Sequence, residues 1–137
     1  MVSYCINKLT VSGKIESLQR FLYENKGVTN LSFARTVVPP IGATTAWRVQ
    51  NWGTCSDIDN EQTDIMWNFR ENKFIVLFKT PWTPPISWVF YTGIKYRHLS
   101  FNLQYEDPTE RFKGIYTVQS GIVTHDDYSK SCEDYDD

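Results

Sequence analysis

The stretch DIMWNFRENKFIVLF, Asp64 to Phe78, decides the fold class. Its first part places Ile65, Trp67 and Phe69 at every second position, the spacing of a strand with one buried face. Arg70-Glu71-Asn72-Lys73 follows as a tight polar turn, and Phe74 to Phe78 is an unbroken apolar run. Such a run is the composition of a central strand covered on both faces. The stretch therefore predicts a β-hairpin whose second arm lies deep in a sheet.

Working outward, Tyr4 to Val11 alternates like a strand, with Cys5, Leu9 and Val11 on one side. Ile15, Leu18, Phe21 and Leu22 then recur at helical spacing after Ser12-Gly13, and Gly27 offers a stop. Leu31 to Val38 reads as a second strand ended by Pro39-Pro40, which remove donors and favour extended backbone. After the hairpin, Thr83 is placed to cap a helix with Pro84 and Pro85 in its first turn and Ile86, Val89, Phe90 and Ile94 as its stripe, ending near Arg97. Leu99 to Tyr105 is a clean amphipathic strand, and Arg111 to Gln119 is another, with Gly114 marking a bulge or bend. Strand, helix, strands, helix, strands is the order of an α+β fold, and we expect a ferredoxin-like sandwich: an antiparallel sheet with two helices on one face.

The chain has 137 residues, the size of one domain able to bury a sizeable core without disulfides. Cys5, Cys55 and Cys132 are odd in number and widely spaced, which argues against a disulfide framework or a zinc site. No apolar run approaches the ~20 residues of a membrane span, and Met1 to Leu9 is unlike a signal peptide, so a soluble, cytoplasmic protein is expected. The formal charge of -2 is uneven: His125 to Asp137 carries six acidic residues and one lysine, leaving the body mildly basic. The expected organisation is a single domain over 1–124 and an acidic, flexible tail over 125–137.

Four stretches together resemble a known family: SFARTVVPP (Ser32 to Pro40), AWRVQNWGT (Ala46 to Thr54), FIVLFKTPWTPP (Phe74 to Pro85) and LSFNLQYEDPTERFKG (Leu99 to Gly114). They are similar, in the same order, to the ferredoxin-like domain of Api92-like and YubB-like proteins of phages and plasmids. The likeness runs from about Cys5 to Gly121. It implies a ferredoxin-like fold and a viral or mobile-element origin, hence a host-cell cytoplasm, and it implies no particular reaction. The family usually continues WGT with a lysine and another tryptophan, where this chain has Cys55 and Ser56.

Read as extended backbone, Trp47 to Trp52 puts Trp47, Val49 and Asn51 on a core face and Arg48, Gln50 and Trp52 on the opposite one, which either packs, with Trp52 under the Ile41 to Glu61 segment and Arg48 paired with a nearby acid, or faces a ligand. A guanidinium, an amide and an indole can stack on a base and bond its edge or a phosphate. Gly53 would admit a ligand or a second backbone, Thr54 adds a hydroxyl, and Trp82 lies in a proline-rich junction either at a ligand or packed at the core's rim. Asp57, Asp59, Glu61 and Asp64 lack the glycine and terminal glutamate of a calcium loop and read as a solvated acidic segment. Cys55 and His98 form a dyad only if the fold joins them.

The sequence contains no Walker loop, G-x-S-x-G elbow or HExxH, and no metal or cofactor is expected. The leading expectation is a non-catalytic module that binds a nucleotide-like ligand or single-stranded nucleic acid through Arg48, Gln50, Trp52, Thr54 and Trp82, in a counter-defence role. The alternative is an inhibitor that docks a host protein with exposed aromatics and the acidic tail. A small hydrolase using Cys55 or the acidic loop is the third class. The oligomeric state is left open.

Overall fold

In the computed structural model, residues 3–26, 31–59 and 63–131 are described. The elements are β1 (Tyr4–Ser12), α1 (Ile15–Asn25), α2 (Phe33–Thr36), α3 (Thr45–Trp52), β2 (Asp64–Asn68), β3 (Lys73–Pro81), α4 (Ile86–Lys95), β4 (Ser100–Asp107), β5 (Phe112–Gln119) and β6 (Ile122–Lys130). A 3-10 turn, Phe69–Glu71, joins β2 to β3. The strands form one antiparallel sheet in the order β2-β3-β1-β4-β5-β6. The β-α-β-β-α-β core with strand order 2-3-1-4 is the ferredoxin-like arrangement, and the β5–β6 hairpin extends it.

Register explains the core. Leu9 lies opposite Val76 and Leu103, and Val11 opposite Phe74 and Phe101, so one sheet face carries an apolar grid with no exposure. α1 and α4 lay Leu18, Phe21, Trp88 and Val89 on that face. The Phe21 ring sits 5.4 Å from Phe101 and 6.2 Å from Phe74. Each such side chain contributes about 1.5–3 kcal/mol of burial free energy. Among the described residues no helix is long and apolar enough to cross a membrane.

The hairpin, β1, α1, α4, β4 and β5 lie where the sequence puts them, and several local readings change. Leu31 to Val38 is not a strand: the Asp57 carboxylate accepts from the backbone N–H groups of Phe33 and Ala34 and from Ser32 Oγ, and this captures the start of the short α2. Trp47 to Trp52 is helical, because the Thr44 hydroxyl accepts from Trp47 N at 3.1 Å and Gly53, at φ 90, closes the other end. Thr83 does not cap α4. Its hydroxyl donates to Gly53 O at 2.5 Å, and both prolines precede the helix. On α4 the buried side is Trp88, Val89, Thr92 and Gly93, rotated from the expected stripe. His125 to Lys130, expected in a flexible tail, is most of β6, with Thr117 opposite His125 and Phe112 opposite Lys130. Residues 132–137, including Cys132, and the expected Gly27 stop lie outside the described residues.

Gly114 marks neither a bulge nor a bend. The register shift falls between Thr117 and Val118, whereas a Cβ at Gly114 would collide with the Tyr105 hydroxyl and the Asp127 carbonyl. The glycine is there for close approach of three strands.

Candidate functional site

The apolar run Phe74 to Phe78 is covered on one side only. Phe74, Val76 and Phe78 face the helices, but Ile75 and Leu77 point to the other face, where no helix packs among the described residues, and remain half-buried. The same open face carries Met66, Ile6 and Ile115, exposed at 46%, 46% and 38%. A face this apolar without a covering layer is a candidate interaction surface.

Its centre is a groove of about 540 Å³ running from β3 across β1, β4 and β5 to β6. Ile6, Leu77 and Ile115 give it an apolar floor. Lys8 and Lys113 contribute ammonium groups, Gln104 an amide, Glu106 and Asp127 carboxylates, and Ser129 a hydroxyl. Register orders these groups: Lys8 lies between Leu77 and Gln104, Ile115 between Gln104 and Asp127, and Lys113 between Glu106 and Ser129. Neither lysine forms an ion pair among the described residues, where the pairs are Arg20–Glu24 and Lys73–Glu71. The volume suits a small organic ligand.

The residues singled out in the sequence do not assemble into one face. Trp52 is 3% exposed, its ring 5.8 Å from Phe33, and its indole N–H donates to Val37 O. Trp47, expected in the core, is half-buried at its rim, so the two indoles exchange roles. Arg48 is spent on the backbone, donating to Cys55 O at 2.7 Å and Ala43 O at 3.4 Å, and to Thr45 Oγ1. Gln50 is exposed on α3. Gly53 does admit a second backbone: the start of α4 comes so close that a Cβ would meet Ile86 N and Pro84 O at 2.8 Å. Thr54 is buried and donates to Pro81 O at 3.0 Å. Trp82 is 48% exposed, with φ 67.

Asp57 is a structural clamp rather than a solvated acid, and Glu61 lies outside the described residues. No group of three or more His, Cys, Asp or Glu able to hold a metal occurs among the described residues. Cys55 follows α3, while His98 lines a cleft with Arg20 and Tyr96, and no hydrogen bond joins the two. The groove residues were missed because they come in ones and twos from five strands. The available signal was the second apolar parity, Ile75 and Leu77, in a strand whose other parity already fills the core.

Comparison with curated proteins gives no match. Among solved structures, a protein api92 from Yersinia pseudotuberculosis is similar with a TM-score of 0.55 at 14% identity, over 76% of this chain and 40% of that one. The chain therefore spans less than half of that relative's length, and the likeness is one of fold. A family model described as the ferredoxin-like domain in Api92-like protein matches residues 61–137, which run from just before β2 through β6 and beyond. As that match takes in more than half of the sequence, the chain belongs to the Api92-like family through its ferredoxin-like domain.

Proposed function

We propose that the protein is a non-catalytic binding module and that its working surface is the groove on the open sheet face, with a nucleotide-like ligand as occupant. The observation that carries this reading is the pairing of an apolar floor, Ile6, Leu77 and Ile115, with two lysines, Lys8 and Lys113, that have no ion-pair partner among the described residues. A base lies on such a floor, a phosphate is met by the ammonium groups, and Gln104, Glu106 and Asp127 are acceptors for base amines and ribose hydroxyls. Sequestering such a ligand is the counter-defence use that the family resemblance suggests.

The test is isothermal titration with a panel of mononucleotides and cyclic nucleotides, on the intact protein and on a Lys8→Glu/Lys113→Glu variant. Binding by the intact protein, weakened at least tenfold in the variant and by added salt, supports the reading. A panel that yields no heat, or equal affinity in the variant, removes it. The second reading, docking of a host protein, is favoured by the extension of the apolar strip to Met66 on β2, outside the groove. Under that reading Met66→Asp abolishes partner binding, whereas mononucleotide affinity stays unchanged.

A further inference from the structure

We infer that the occupant of the groove is a single strand of nucleic acid, with Trp82 as the platform on which one of its bases stacks. The inference rests on the groove reading above and extends it beyond the groove.

Trp82 is unusual in backbone and in side chain. Its φ of 67 lies in the left-handed region, which a bulky residue rarely adopts and keeps only where the surroundings dictate it. The surroundings do dictate it. Trp82 N donates to Ser3 O at 2.8 Å, Thr80 Oγ1 to Thr83 O at 2.7 Å, Thr83 Oγ1 to Gly53 O at 2.5 Å and Thr54 Oγ1 to Pro81 O at 3.0 Å. Asn7, fully buried, holds Thr80 in turn through Nδ2 at 3.0 Å. The start of β1, the end of α3 and the end of β3 thus all grip one short loop.

The side chain so presented is not part of the core. It makes no ring contact and no hydrogen bond among the described residues, and is half exposed. An aromatic fixed at its backbone loses little conformational freedom on binding, which makes it an economical anchor.

Its position fits a ligand that begins in the groove. Tyr4, 49% exposed, shares the open face with Ile6, and Trp82 is bonded to the residue just before Tyr4. From Ser3 to Ile6, where the groove starts, is about 10 Å of extended strand. Lys79, opposite Ile6 on the same face, supplies a cation between the groove and the aromatics. A mononucleotide seated between Lys8 and Lys113 would leave Trp82, Tyr4 and Lys79 unused, while a strand reaches all three. Aromatic stacking with interleaved cations is how single strands are held without sequence preference.

The experiment compares a mononucleotide, by calorimetry, with a fluorescent oligonucleotide of about six nucleotides, by anisotropy. Both are measured on the intact protein, Trp82→Phe, Trp82→Ala and Trp82→Gly. Glycine suits the left-handed backbone, so Trp82→Gly deletes the indole without strain and keeps the test valid should the alanine variant unfold. The inference expects tighter binding of the oligonucleotide than of the mononucleotide, a loss of roughly tenfold or more for the oligonucleotide in Trp82→Gly, near-recovery in Trp82→Phe, and unchanged mononucleotide affinity throughout. Mononucleotide binding with an oligonucleotide affinity indifferent to Trp82 overturns this inference and leaves the groove reading standing. Failure of the intact protein to bind either ligand overturns both.

Discussion

The indole nitrogen of Trp52 donates to the carbonyl oxygen of Val37 at 2.9 Å, tying the last residue of α3 to the residue that ends α2. The same ring contacts Phe33 and Trp47, so one side chain joins two short helices to the core. Trp52→Ala is expected to cost about 3–5 kcal/mol in urea unfolding. Trp52→Phe loses the hydrogen bond and some volume, and costs less. Wild-type stability in Trp52→Ala would contradict the packing described.

Gly53→Ala meets two obstacles at once. Its φ of 90 disfavours any Cβ, and that Cβ would press on the backbone of Pro84 and Ile86 at 2.8 Å. Since α4 cannot retreat without disturbing Trp88 and Val89, we expect a loss of about 2–4 kcal/mol, read as a lower urea midpoint. Gly42→Ala is the control: it shares a positive φ but has open space around it, and should lose no more than about 1 kcal/mol.

Asp107 supplies a pH dependence. Its carboxyl is fully buried, which alone would raise its pKa, but hydrogen bonds from Ser3 Oγ, Glu110 N and Thr109 N outweigh burial and hold it below the ordinary value. A pKa lower in the folded than in the unfolded state means that the stabilisation is complete above the ordinary value, about 3.9, and is lost as pH falls through the folded value. Urea midpoints taken from pH 6 downward should therefore favour the wild type over Asp107→Asn near neutrality, with the gap closing below about pH 4. A gap that stays constant with pH would assign the effect to packing.

Burial first, and then the charge of Asp107, pushes the Cys5 thiol up to about 12. The thiolate is the reactive form, so Cys5 should resist iodoacetamide at pH 8 in the folded protein and react in urea. Cys55, half exposed, should be alkylated ahead of it. Mass spectrometry of peptides from both conditions checks the order of modification.

What could be read from the sequence follows from where one periodicity dominates. β1 and β4 alternate cleanly because one side of each meets the helices and the other meets solvent, and α1 announces itself by Ile15, Leu18, Phe21 and Leu22. α3 was misread because two tryptophans and a valine at odd and even positions suit either period. The deciding signals were its ends, Thr44 and Gly53, which bracket one short helix. β6 was missed for a different reason: every one of its residues is exposed, so no side of it needed to be apolar. Of the residues expected to face a ligand, Arg48, Trp52 and Thr54 are engaged by the fold, whereas Gln50 and Trp82, the latter expected either at a ligand or at the core rim, reach solvent.

β1 is the central strand, yet its partners come late. Tyr4 pairs with Pro81, and Ile6 with Glu106, so the strand on which the whole sheet is built has no neighbour until most of the chain has left the ribosome. β5 and β6, by contrast, meet across Ser120 and Gly121 and can zip as soon as they emerge. Nascent chains of this protein therefore carry Cys5, Leu9 and Val11 bare for many seconds at ordinary elongation rates, and assembly of the sheet is governed by a long-range closure rather than by any local turn.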